Sequence, residues 1–326
     1  MTRNFRISVA PMMDWTDRHC RYFHRLLSPH AVLYTEMVTT GALLFGDKER
    51  HLRFSDAEHP IALQLGGSDP EALKIAAKMG EDFGYDEINL NCGCPSDRVQ
   101  KGRFGACLMA EPDLVADCIG SMQSEVKIPV TVKCRIGIDD CVDYEFLDSF
   151  ITKVKAAGCK TFIIHARKAW LKGLSPKENR EVPPLNYDLV AEIKRNHPDL
   201  TIDINGGLNT LDLIKSVSHL DGAMIGREAY QNPYFLNEIE TALYGAEPAN
   251  RFDIARAMIP YIERQQAEFG TPVHSATRHM TGLFNGLRGA RLWRQSLSDA
   301  PQHQNPAFLL PVLEKIEAMQ LEPVAT

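Results

Sequence analysis

Residues 86–95 read DEINLNCGCP. Asn89 and Asn91 alternate with Ile88, Leu90 and Cys92, so amides line one side of an extended chain and apolar groups the other. The strand then stops at Gly93 and Pro95, with Cys94 held between them. Seven more short β-branched runs recur, at 7–12 (ISVAPM), 32–38 (VLYTEMV), 61–67 (IALQLGG), 130–137 (VTVKCRIG), 161–167 (TFIIHAR), 201–207 (TIDINGG) and 222–227 (GAMIGR). Helical patterns fit between most of them. The clearest starts at a capping box, Ser68-Asp69-Pro70-Glu71, and another runs from about Tyr144 to Ala157 and stops at Gly158. Eight β-then-α units over roughly 240 residues predict an α/β chain folded as a (β/α)8 TIM barrel, a fold of about 250 residues. A doubly wound sheet also alternates but needs fewer units.

From about Arg251 strand signals stop and helical stretches take over. The expected division is a catalytic barrel over 1–245 and a small all-helical domain over 246–326, joined by GAEPAN at Gly245–Asn250.

Composition narrows the class. The chain has 326 residues, 44% hydrophobic and 24% charged, the profile of an ordinary globular protein. No apolar run approaches a membrane span and the N-terminus lacks the apolar segment of a signal peptide, so the expected location is the cytoplasm, with no membrane partner. That compartment is reducing, and the eight cysteines are expected as thiols. No second close pair matches Cys92 and Cys94, so a four-cysteine zinc site is not expected, and no other metal is invoked. A net charge of −6 argues against a general nucleic-acid coat, while leaving room for a local basic patch.

In a barrel the chemistry collects at the C-terminal ends of the strands. The 61–67 run ends near Gln64, and the 130–137 run aligns Thr131, Lys133 and Arg135, with Val132 and Cys134 opposite. The 161–167 run aligns Ile163, His165 and Arg167, and the last two runs end in Asn205-Gly206-Gly207 and Gly226-Arg227. A purely structural barrel fills such positions with Val, Ile and Leu. Solvent-facing polar residues explain two or three of these positions, not all. Cys92 and Cys134 read as small apolar packing residues. Cys94 lies beyond its strand, on the loop at the mouth. It can be a packed structural thiol or a functional one, and its place beside Asn91, Lys133 and His165 favours function. The glycines after the last two strands suit a phosphate, because they let backbone N–H groups approach an anion, and Arg227 would add a charge-assisted pair. Either glycine set alone could be a tight turn.

Taken together, APM at 10–12, YTEM at 34–37, ALQLGG at 62–67, EINLNCGCP at 87–95, VKCRIG at 132–137, IHARK at 164–168, INGG at 204–207 and MIGRE at 224–228 resemble the tRNA-dihydrouridine synthases. The segment HARKAWLKGLSPKENREVPPL from His165, TRHM at 277–280 and GARLWRQ at 289–295 resemble the A-type branch of that family. The resemblance spans about Ile7 to Ser298. It implies an FMN-binding barrel with a helical tRNA-binding domain, and reduction of the C5–C6 bond of D-loop uridines, at tRNA positions 20 and 20a, with NADPH as the electron source. It implies flavin contacts at Ala10, Pro11, Met12, Met13, Gln64, Lys133 and His165. The flavin phosphate is implied at Asn205, Gly206, Gly207, Gly226 and Arg227. Cys94 matches the family's proton donor. The chemistry fits: a free thiol, with a pKa of about 8.5, is mostly protonated near neutrality and can donate, whereas an aspartate would be ionised. Nearby Lys133 and His165 would lower the thiol's pKa, which works against the acid role, or could instead stabilise negative charge on the flavin or the uracil carbonyl.

No G-x-G-x-x-G follows a strand, so NADPH and tRNA are expected to use one flavin face in turn. The uridine must leave the tRNA fold to reach a barrel mouth. From Phe269 to Ser298 there is no acidic residue, while Arg278, His279, Arg288, Arg291 and Arg294 all fall there. Lys168, Lys172, Lys177 and Arg180 form a second basic cluster, diluted by Glu178 and Glu181. Asn91, Lys177, Arg180, Arg278, Arg291 and Arg294 are the expected tRNA contacts. Two rival readings are a sugar-phosphate lyase with a Schiff base on Lys133, and a tRNA-binding protein without catalysis. Flavin absorbance would exclude the first, and the grouping of Cys94, Lys133 and His165 argues against the second.

Overall fold

A computed structural model of the chain describes residues 5–96, 99–100 and 102–321, so both outer domain limits expected from sequence, 1 and 326, lie outside the described residues. Among the described residues nine parallel strands form the sheet: β1 (Arg6–Val9), β2 (Val32–Tyr34), β3 (Val38–Thr39), β4 (Ile61–Gly66), β5 (Glu87–Cys92), β6 (Val130–Arg135), β7 (Thr161–His165), β8 (Thr201–Asn205) and β9 (Gly222–Ile225). β1 pairs with both β2 and β9, and β2 pairs with β4, so eight of them close into a barrel. Helices follow most strands, as in a TIM barrel, and no open edge remains around the ring.

The ninth strand is a departure from the expected eight. The run at 32–38 divides into β2 and β3, and the short β3 adds to the end of β4 through Val38↔Leu65. The cause lies at Thr35, whose hydroxyl accepts the backbone N–H of Gln64 at 3.0 Å. A side chain there takes a ladder donor that a backbone carbonyl would otherwise accept, and the strand is interrupted. The helix Pro70–Asp82 also starts differently from the expected capping box. Asp69, not Ser68, is the cap, accepting from Ala72 N at 2.8 Å. Proline fits the first helical position, which makes the residue before it the cap.

The cross-strand register carries the interior. Gln64 pairs with Asn89, Asn89 with Thr131, Asn91 with Lys133, Arg135 with His165, and His165 with Asn205. On the opposite side, Ile88, Leu90, Cys92, Val132 and Cys134 are fully buried against the surrounding helices. Cys92 and Cys134 face each other across β5 and β6, and burial pushes the Cys134 thiol up to about 12. All eight cysteines are free thiols.

The chain forms two compact units. Among the described residues, one comprises those up to Thr16 and from Ala31 to Gly226; the other comprises those from Asp17 to His30 and from Arg227 to Leu321. Neither the Gly245–Asn250 stretch nor the expected limit at 245 separates them. Helix Tyr234–Tyr244 belongs with the helical unit because it packs on helix Arg18–Leu27 there. Asn237 Nδ2 donates to Leu27 O at 3.2 Å, and Glu240 accepts from Ser28 Oγ at 2.5 Å and His30 N at 3.0 Å. The core of this unit centres on Trp293, whose indole N–H donates to Met280 O at 2.8 Å and whose ring meets Phe284 edge-on at 4.8 Å.

Candidate active site

The barrel mouth is built from strand ends. Ala10, Tyr34, Ala62, Ile163 and Met224 form a buried apolar cluster, with Met12 packed against it. After β1 the chain turns through Met12, whose carbonyl accepts Thr16 N at 2.9 Å; Pro11 and Met12 are half-buried and Met13 is exposed. Gln64, Asn91, Arg135, His165 and Asn205 are all buried, while Lys133 is left partly accessible among them.

Lys133 Nζ donates to Asn205 Oδ1 at 3.2 Å. Burial lowers its pKa from 10.5 to about 8, and Arg135 pushes the same way. His165 lies well below its ordinary 6.5, again through burial and then through Arg135 and Lys133, so it is a neutral imidazole near pH 7. It can offer one N–H and no charge. Of these two residues expected beside Cys94, only the lysine carries positive charge.

Cys94 is half-buried, and its Sγ lies 3.6 Å from Ser96 Oγ. Its backbone is fixed from two sides. Cys94 N and Gly93 N both donate to Asn91 Oδ1 at 3.0 Å, and Cys94 O accepts Ala106 N at 2.9 Å. Gly105, with φ +78°, makes that second contact: a Cβ there would lie 2.5 Å from Cys94 O. Asn91, expected on the substrate, thus spends its carbonyl on the thiol loop and donates its Nδ2 to Gln64 Oε1 at 2.8 Å.

Sequence reasoning placed Arg135 on the right face but gave it no part. In the structure it is 3% exposed and donates from Nε to Gly93 O at 2.8 Å. Its Nη1 donates to Lys168 O at 2.9 Å and Asn179 O at 3.0 Å. One guanidinium therefore ties the Cys94 loop to the loop after β7. Gln100 adds a second tie, its Nε2 donating to Pro95 O at 2.8 Å and Leu171 O at 2.6 Å.

The expected phosphate residues follow β8 and β9. Gly206 and Gly207 have φ of +115° and +71°, and a Cβ on Gly206 would strike His165 Cδ2 at 2.7 Å. Gly226 has open space: a Cβ there would meet only Asn205 Nδ2, at 4.0 Å. Arg227, the next residue, opens the helix Arg227–Gln231 and groups with the helical unit.

Of the expected tRNA contacts, Lys177 and Arg180 are exposed beside the 3-10 turn Glu178–Arg180. Arg291 and Arg294 are exposed on helix Ala290–Ser298, whose Trp293 and Leu297 face inward. Arg294 Nη1 donates to Asn285 Oδ1 at 3.2 Å. Arg278 is committed elsewhere, donating to Asp17 Oδ2 at 2.6 Å within the helical unit. Among the described residues no group of three or more His, Cys, Asp or Glu could hold a metal ion, and no helix is long and apolar enough to cross a membrane.

A closed parallel barrel with a half-buried thiol, a lysine of lowered pKa and buried amides at its C-terminal mouth is the arrangement of a barrel enzyme with its chemistry on the strand-end loops. The model of the family described as "Dihydrouridine synthase (Dus)" matches residues 8–320. The chain belongs to that family and is an enzyme. A protein of Vibrio cholerae serotype O1, named tRNA-dihydrouridine(20/20a) synthase, is 58% identical over 303 residues, covering 92% of each chain. Proteins of the same name from Shewanella oneidensis and Escherichia coli K12 are 56% and 59% identical, covering 98% and 90% of this chain and 95% and 86% of theirs. Among solved structures, a 2-naphthoyl-CoA reductase complex superposes with a TM-score of 0.54 at 13% identity, over 74% of this chain and 50% of that one. That likeness concerns the barrel fold alone.

Proposed function

We propose that the chain is an FMN-dependent tRNA-dihydrouridine(20/20a) synthase that reduces the C5–C6 bond of D-loop uridines with electrons from NADPH. The observation that carries the reading is the Cys94 thiol, held at the barrel mouth by Asn91 and Ala106 beside a charged Lys133. The relatives named above support the substrate.

The residues present fit a flavin mononucleotide. The apolar cluster of Ala10, Tyr34, Ala62, Ile163 and Met224 offers a flat support with Met12 at its margin. Gln64, Lys133 and His165 offer donors to a ring edge. Asn205, Gly206, Gly207 and the open Gly226, followed in sequence by Arg227, offer an anion a close approach. When bound, FMN supplies the hydride that C6 of the uracil receives.

Cys94 donates its proton to C5 of the uracil and is left as a thiolate. Lys133, positively charged below about pH 8, favours the negative charge that builds on the uracil side before that proton arrives. His165, being neutral, donates a hydrogen bond without competing as an acid. Arg135 and Gln100 hold the thiol loop against the β7 loop. Exposed Lys177 and Arg180 on the barrel unit, and Arg291 and Arg294 on the helical unit, bind tRNA phosphates and set which uridine is presented. The protein acts in the cytoplasm, where charged and uncharged tRNA and NADPH are found.

The test is direct. Purified protein is denatured and the released cofactor weighed; FMN is expected. The protein is then incubated with NADPH and unmodified tRNA, and dihydrouridine is mapped. Reduction at positions 20 and 20a is expected. FAD, or reduction at 16 or 17, contradicts the cofactor or the position respectively.

A further inference from the structure

The barrel interior contains a directed chain of side-chain hydrogen bonds that ends on the thiol loop. Cys94 N and Gly93 N donate to Asn91 Oδ1, both at 3.0 Å. Asn91 Nδ2 donates to Gln64 Oε1 at 2.8 Å, and Gln64 Nε2 donates to Asn89 Oδ1 at 2.8 Å. Asn89 Nδ2 donates to Thr131 Oγ1 at 2.8 Å, and Thr131 Oγ1 donates to Glu87 Oε1 at 2.7 Å. Glu87 also accepts from Tyr34 OH at 2.5 Å and from Arg6 Nη2 at 2.7 Å. Asn91, Gln64, Asn89, Thr131 and Glu87 are each more than nine-tenths buried.

The ends fix the direction. A backbone N–H can only donate and a carboxylate can only accept. The four groups between them can each turn either way, since an amide or a hydroxyl both donates and accepts. With a pure donor at one end and a pure acceptor at the other, only one orientation of all four satisfies every contact. Turning Asn89 or Gln64 over would set NH2 against NH2 and carbonyl against carbonyl, inside a barrel where an unpaired polar group is costly. Arg6 balances the Glu87 charge that makes this end an acceptor.

We propose that Glu87, Asn89 and Thr131 are positioning residues for Cys94: through Gln64 they hold the Asn91 carbonyl on the Gly93 and Cys94 amides and so aim the thiol. None of the three touches the reacting atoms. The inference rests on the reading of Cys94 as the proton donor.

Thr131→Val tests it, because valine keeps the shape and removes both the acceptor and the donor that join Asn89 to the terminal carboxylate of Glu87. In flavin-loaded protein, dihydrouridine formation in a single turnover should slow about tenfold or more. Flavin reduction by NADPH should stay within about twofold of the parent. Amide hydrogen exchange at Gly93–Cys94, read by mass spectrometry without any turnover, should accelerate, and Thr131→Ser should restore all readouts. If Thr131→Val does not fold, Glu87→Gln replaces it, since it keeps the volume but admits a donor at the acceptor end; the same three changes are expected. Unchanged exchange with unchanged dihydrouridine formation overturns the proposal. So does an equal loss of both half-reactions with loss of flavin, which a merely structural role would give. Cys94→Ala run in parallel separates the two levels. If it still forms dihydrouridine, the donor reading fails; if it is inactive while Thr131→Val behaves as the parent, only the positioning role fails.

Discussion

Arg135 Nε donates to the carbonyl of Gly93 at 2.8 Å, and the same guanidinium holds Lys168 O and Asn179 O. A residue on β6 therefore sets the position of a loop that leaves β5 and of a loop that leaves β7. Burial and neighbouring positive charge lower the Arg135 pKa to about 10, which still leaves it charged near neutrality.

Removing that side chain exposes the cost of the arrangement. Arg135→Met leaves the buried carbonyl of Asn179 and the part-buried carbonyls of Gly93 and Lys168 without this donor, and a buried acceptor left unpaired costs about 1–3 kcal/mol. A loss of about 3 kcal/mol or more in urea unfolding is expected, with faster hydrogen exchange in both loops. A change below about 0.5 kcal/mol would mean that neither loop depends on the contact.

The Lys133 pKa of about 8 gives activity a pH limit. Below that pH the lysine is charged and can favour negative charge on the uracil; as pH rises through it the charge is lost. Dihydrouridine formation under kcat/KM conditions should fall on the alkaline side from a midpoint near 8, and in Lys133→Gln, which is slower throughout, only the fall from ionising the Cys94 donor should remain. A fall with the parent's midpoint and shape in Lys133→Gln assigns the titration to another group.

Arg291 and Arg294 project from one exposed side of helix Ala290–Ser298 while Trp293 and Leu297 are buried beneath. Reversing both to Glu should weaken tRNA binding and reduce the slope of log affinity against log salt by about one unit per lost phosphate contact. Flavin content and NADPH oxidation without tRNA should not change. An unaltered salt slope would remove both residues from the interface.

Much of this was legible in the sequence because a parallel barrel strand declares itself twice: by a short β-branched run and by polar residues on every second position near its end. Lys133, His165 and Asn205 are legible that way, as is the outward packing of Cys92 and Cys134, whereas Cys94 stands out by its place on the loop beyond its strand. The division of the 32–38 run was not legible, because it depends on Thr35 capturing the N–H of Gln64, 29 residues on. The limit expected at 245 puts Tyr234–Tyr244 with the barrel, whereas its partners Leu27, Ser28 and His30 come more than 200 residues earlier. Glu87 gave no signal of its own, since its meaning lies in Arg6 and Thr131, 81 and 44 residues away.

The central claim is that Cys94, and not its neighbour Cys92, gives the uracil its proton. Cys92 is fully buried, and burial raises its thiol far above the ordinary range, while Cys94 is half-buried at the mouth. The most direct measurement is a single turnover with pre-reduced protein and unmodified tRNA, comparing Cys94→Ala, Cys92→Ala and the parent. Cys94→Ala should retain flavin and its reduction by NADPH but form dihydrouridine roughly 10²–10⁴-fold more slowly. Cys92→Ala should match the parent. Dihydrouridine formed at the parent rate by Cys94→Ala, or lost in Cys92→Ala with flavin reduction intact, would contradict the account.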